Sequence, residues 1–126
     1  MKIIPIVTLA LATGCMIRQQ DTSIMQDAAD IHNKSVAVKE QVEQQLTALR
    51  IDSTFQLKDS LTEILKSLHV WNENLVEVPG NEHYHHKNHN HNHAPVEVTA
   101  QEMRELQREL NREILHIEKR IQNLTK

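Results

Sequence analysis

With 126 residues, the chain holds one domain at most, with room for a small core. Its formal net charge of -3 comes from 14 Lys and Arg against 17 Asp and Glu, scattered rather than clustered. Without a basic stripe, nucleic acid is excluded as the main partner. Phe55, Trp71 and Tyr84 are too few aromatics to stack bases, and Gly14 and Gly80 cannot build a phosphate-cradling loop.

The first residues read as a targeting segment. Met1-Lys2 is a short positive start, and Ile3 to Ala12 is an apolar run of signal-peptide length. It falls short of the roughly 20 apolar residues that a membrane-spanning helix needs. The run closes at Leu11-Ala12-Thr13-Gly14-Cys15, where Cys15 is the only cysteine, so no internal disulfide can form. Small residues before a lone cysteine resemble the lipobox of bacterial lipoproteins, with Ala12 where that family usually has Leu. The resemblance implies removal of residues 1–14 and acylation of Cys15 as the lipid attachment. The alternative is an ordinary signal peptide with an incidental cysteine. Both take the chain out of the cytoplasm, and residues 15–22 then read as a polar tether.

Ser23 with Gln26 has the form of a capping box, opening a helix over about 23–50. Its apolar stripe is Ile24, Ala28, Ile31, Val38, Val42, Leu46 and Leu49, with Ser35 filling one step. The register breaks from Arg50 to Thr54. Ser53 with Gln56 offers a second capping box for a helix over about 54–77. Here Leu57, Leu61, Ile64, Leu68, Trp71 and Leu75 keep a 4-3-4-3-4 spacing. Neither Gly nor Pro interrupts, so a single bent helix stands as the alternative to a turn and an antiparallel neighbour. Val78-Pro79-Gly80 ends this helix, because the residue before a proline is pushed out of the helical region.

The third helix, about 100–124, carries a third capping box in Thr99 and Glu102, and a hydrophobic staple in Val98 and Met103. Met103, Leu106, Leu110, Ile114, Ile117, Ile121 and Leu124 form its stripe. Glu105 with Arg108, and Glu109 with Arg112, pair three apart on the wetter side. Three amphipathic helices and no strand alternation lead to an all-α fold. The expected form is an antiparallel up-down-up three-helix bundle over residues 23–126.

The connection over 79–98 is the anomaly, since helix links in bundles usually run about 2–8 residues. It holds six of the nine histidines, His83, His85, His86, His89, His91 and His93, between Pro79-Gly80 and Pro95. In an extended segment, residues two apart share a face with Cα atoms about 7 Å apart. His89, His91 and His93 can therefore converge on one ion, and the other three can add nitrogens by folding back. Zinc, copper and nickel ions all accept imidazole, with affinity peaking at Cu(II). A loop without fixed geometry selects weakly among them. The other readings are a solvated low-complexity insert and a pH-responsive charge.

The remaining histidines, His32, His69 and His116, flank the three stripes, where a partly packed ring is the plain explanation. Antiparallel helices could also bring His32 and His69 together as an internal metal site. Met25 and Met103 read as core filler. The carboxylates lie on polar helix faces and no Ser, His and acid form a nucleophile motif, so no enzyme is expected.

The lipobox, the first helix carrying Ile31-His32-Asn33, and the second ending around Trp71 resemble the small helical envelope lipoproteins of Bacteroidota. Some of those carry the label "viral A-type inclusion protein". The resemblance implies a lipid-anchored bundle in the bacterial cell envelope, periplasmic or surface-facing, in a family without an established activity. The histidine tract departs from the family pattern, so its role rests on chemistry. The expectation is capture, buffering or delivery of transition-metal ions at the bilayer, with a metal transporter or another envelope protein as further partner. The rival is a structural or interaction lipoprotein whose tract is incidental or pH-responsive. With the first two helices each running roughly 35–40 Å, the tract is expected at the membrane-proximal end and Lys126 at the far tip.

Overall fold

The computed structural model describes residues 13–52, 54, 56–81 and 96–126, and side chains from Gln19 onward. Among these residues the chain is all-helical without strands: α1 Thr13–Ile51, α2 Lys58–Asn74 and α3 Ala100–Leu124. At about 1.5 Å per residue, the 39 residues of α1 run about 58 Å, against about 25 Å for the 17 of α2 and about 37 Å for the 25 of α3.

Helix α1 begins earlier than Ser23. Residues 15–22, expected as a tether, lie within it, because neither Gly nor Pro follows Gly14 until Pro79. Ser23 and Gln26 are interior positions and do not cap, and Gln26 donates to Asp30 at 3.2 Å. The helix stops where Asp52 offers its backbone neighbours an alternative. Its Oδ1 accepts from the Thr54 backbone N–H at 2.8 Å and the Thr54 hydroxyl at 2.6 Å. Such a side-chain turn competes with continued helix. Two separate helices therefore replace the single bent one.

Helix α2 has no side-chain cap; its N-cap is Leu57, and the expected Ser53 and Gln56 box does not open it. Leu57 is 49% exposed and stands off the core, unlike the rest of its stripe. The helix ends at Asn74, with Leu75 already extended, three residues short of the expected 77. The missing turn went elsewhere. Gln107 Nε2 donates to the Val76 carbonyl at 2.7 Å, and Val78 is buried. The chain then turns through Pro79 and Gly80, closed by Asn81 N–H donating to the Val78 carbonyl at 3.0 Å. Gly80 takes φ +82, as the third position of a type II turn requires, which a side chain would resist.

The buried positions of α1 are Ala28, His32, Ser35, Lys39, Val42 and Leu46, with Ala29 beside them. Those of α3 are Met103, Gln107, Leu110, Ile114, Ile117 and Ile121. Apart from Ala29, both sets keep a 4-3-4-3-4 step, so the seam runs straight through polar residues. Ile31, Val38 and Leu106, chosen for the stripes by their apolar character, are half-buried flanks.

Pairings between α1 and α3 rise together: Asp27 with Arg104, His32 with Gln107, Ser35 with Asn111. Those between α2 and α3 run oppositely: Val76 with Gln107, Trp71 with Leu110, Ser67 with Arg120. Two apolar clusters result. The larger joins Val42 and Leu46 to Leu61, Ile64, Leu68 and Trp71, and to Leu110, Ile114, Ile117 and Ile121. The smaller is Ala28, Ala29, Val78 and Met103, with Met25, Val76 and Val98 packed on it. His32, Ser35 and Gln107 lie between them along the seam.

Candidate metal-binding site

The smaller cluster sits where the histidine tract leaves the described chain and returns. Val76 and Val78 lead out of α2, and Val98 leads into α3; all pack on Ala28, Ala29 and Met103. On the outgoing side, the amides of Asn33 and Asn81 exchange bonds of 3.4 and 2.9 Å, tying the turn to α1. On the incoming side the Thr99 box is complete. Glu102 N–H donates to the Thr99 hydroxyl at 3.2 Å, and Glu102 Oε2 accepts from the Thr99 backbone N–H at 2.8 Å. That backbone N–H most, and next the Thr99 hydroxyl donating to Glu102 Oε2 at 2.7 Å, hold the Glu102 carboxyl below the usual carboxylate range. The Val98 and Met103 staple is also in place.

His83, His85, His86, His89, His91 and His93 fall within 82–95, outside the described residues. Cys15 lies in α1, though its side chain is outside them too. Ala28 stands 13 residues along α1 from Cys15, or about 20 Å of helix. Among the described residues, no helix is long and apolar enough to cross a membrane. Nor are three His, Cys, Asp or Glu side chains grouped there to hold a metal ion.

The alternative pairing of His32 with His69 does not occur. His69 is exposed and faces Glu73 at 3.4 Å on its own helix. His32 is instead in the seam, 5% exposed. Its Nδ1 meets Gln107 Oε1 at 3.2 Å, and its Nε2 lies 3.6 Å from Glu77 Oε2. Gln107 is fully buried and its amide is oriented by the Val76 carbonyl. Reading the stripes by apolar residues alone missed this group. The strict seam spacing would have found His32 and Gln107.

His116 is exposed and lines a groove of about 390 Å³ between α2 and α3, floored by Trp71 and Ile117. Glu63, Lys66, Glu113 and Arg120 also line it. Lys66, bonded to Glu63 at 2.8 Å, holds that carboxyl below its ordinary range. Glu105 with Arg108, and Glu109 with Arg112, pair as expected. Met103 is buried and Met25 packs beside it, both as core filler. Comparison with protein-family models, with curated proteins and with solved structures gave no match.

Proposed function

We propose that the chain is a bacterial envelope lipoprotein, anchored through acylated Cys15, that binds divalent transition-metal ions through its histidine tract. The body is an up-down-up three-helix bundle, and the tract is its long loop over 79–98. The ligands are His83, His85, His86, His89, His91 and His93, for zinc, copper or nickel. The role is binding rather than catalysis: capture, buffering or delivery to an envelope transporter.

One observation carries this reading. Both described ends of the tract are secured on a single small apolar cluster, Val76 and Val78 on one side and Val98 on the other. Six imidazoles between closed ends stay at high local concentration, which raises the affinity of successive ligands for one ion. The spacing to the anchor is also suited to delivery. Fourteen residues, 82–95, extended at about 3.3 Å each and returning, reach about 23 Å. That covers the stretch of α1 between Ala28 and Cys15.

The test is titration of the mature protein with Zn(II) and Cu(II), with and without residues 81–94. Moderate-affinity binding by the full form and its loss in the shortened form are expected. Equal binding by both forms would remove the tract from the function. A second reading, an interaction lipoprotein with an incidental or pH-responsive tract, draws on Gln19 to Ser23, which are exposed along the N-terminal part of α1. It is tested by the same titration, because it requires no metal affinity in the physiological range.

A further inference from the structure

The three residues before the buried Val78 belong, by sequence, to α2. Its stripe of Leu61, Ile64, Leu68 and Trp71 steps on to Leu75 four positions later, and no Gly or Pro intervenes before Pro79. The helix nevertheless stops at Asn74, and nothing local stops it. Its last turn has no basic side chain, Leu75 at the C-cap is extended, and the Leu75 N–H reaches the Asn72 carbonyl only at 3.4 Å. A glycine or asparagine with positive φ closes many helices. Among the described residues the only positive φ is at Gly80, six residues past Asn74.

What ends α2 is contact with the other two helices. The fully buried Gln107 donates from Nε2 to the Val76 carbonyl at 2.7 Å. Val76 and Val78 pack on Ala28, Ala29 and Met103, and the amides of Asn33 and Asn81 exchange bonds just beyond. Leu75 stays with the larger cluster of α2. Bonds of this kind are each modest in net strength, and one more helical turn would return backbone bonds of the same kind.

Rewinding 75–77 would change the path of the chain. Extended residues advance about 3.3 Å each and helical ones about 1.5 Å, so the Pro79-Gly80 turn would draw toward α2 by about 5 Å. On the helix Val76 would share the face of Asn72 and His69, four and seven residues before it, and leave the smaller cluster. The fourteen residues 82–95 are chain enough to follow that movement.

We propose that 75–77 is a two-state strap. Docked on α1 and α3 in this structure, it rewinds as the last turn of α2 once the Gln107 and Asn81 bonds are released, and so uncovers Ala28, Ala29 and Met103. Asn81 lies two residues from His83, so a load on the tract falls first on the Asn33 and Asn81 pair. The strap stands whether or not the tract binds metal.

The experiment compares backbone Cα chemical shifts of 75–77 in the full mature chain and in three variants, Gln107→Leu, Pro79→Ala and Ser35→Ala. Gln107→Leu removes the donor to Val76. Pro79→Ala, at an exposed position, frees Val78 from the restriction that a following proline imposes. Both should move the three shifts toward helical values and leave those of 61–71 in place. Ser35→Ala breaks the seam bonds to Ile31 and Asn111 without touching the strap, and should leave 75–77 unchanged. Pro79→Ala carries the result if Gln107→Leu unfolds. Shifts that stay extended, or that move to coil values, in either folded variant overturn the strap. An equal helical move in Ser35→Ala also overturns it, because it marks a general loosening of the seam.

Discussion

Trp71 Nε1 donates to the Leu110 carbonyl at 2.8 Å, fastening α2 to the middle of α3 from a ring only 1% exposed. The bond satisfies the one polar atom of the largest side chain in the core. Trp71→Ala should therefore cost about 3–5 kcal/mol through the cavity it leaves. Trp71→Phe, which keeps an aromatic ring and loses the donor, should cost less. Urea unfolding of both variants checks the order; equal losses would mean that the hydrogen bond, rather than the packing, fixes α2.

Gln107 makes the sharper case for a buried polar residue. Gln107→Leu deletes the acceptor of His32 Nδ1 and the donor to the Val76 carbonyl at once. The loss should be about 2–4 kcal/mol, since stranding buried polar groups costs more than an average hydrogen bond returns. Ser35→Ala, which removes bonds to Ile31 and Asn111, should cost only about 1 kcal/mol. A Gln107→Leu protein as stable as the parent would show that the seam needs no polar layer.

How much of this was legible depended on the range of each interaction. The Thr99 box and the Val98 and Met103 staple were readable because their residues lie within five positions of one another. The stripe of α2 was readable because Leu61, Ile64, Leu68 and Trp71 are apolar as well as regularly spaced. His32, Lys39 and Gln107 occupy seam positions of the same spacing, yet their polarity led to Ile31, Val38 and Leu106 being favoured. Which polar residue a seam accepts depends on partners about 75 positions away, as for His32 and Gln107, and a local pattern does not contain them. The end of α2 was misplaced for a related reason. The carbonyl of Val76, just beyond the observed end, accepts from Gln107, a residue of another helix. For the tract, type and number of the proposed ligands are legible in the sequence, and the described residues add where its ends are fastened.

The cap of α3 should be sensitive to acid. Thr99 holds the Glu102 carboxyl below its ordinary value of 4.5 in the folded chain. A depressed folded value means that the cap's stabilisation is fully present above the unfolded value. It is lost as pH falls through the folded one, so the window opens near 4.5 and extends downward. Thr99→Ala should cost about 1 kcal/mol at neutral pH. It should also flatten the decline in stability below pH 4.5. An unchanged acid limb in thermal melts would remove Glu102 from that decline.

The proposed anchoring rests on Cys15. Cys15→Ala should abolish lipid attachment and leave unprocessed precursor, read as a mobility shift and loss of fatty-acid labelling. Maturation and membrane partition equal to those of the parent would set the lipoprotein reading aside.

The histidine tract is tested most directly at its own nitrogen atoms. The nine imidazoles can be followed by nitrogen-15 NMR while Zn(II) is added to the mature protein. His69 and His116, exposed on α2 and α3, serve as internal controls for adventitious binding. The expected result is that resonances of His83, His85, His86, His89, His91 and His93 shift or broaden at the first equivalents, while those of His69 and His116 stay still. Tract resonances that stay still at the first equivalents, or that move only in step with His69 and His116, would contradict it.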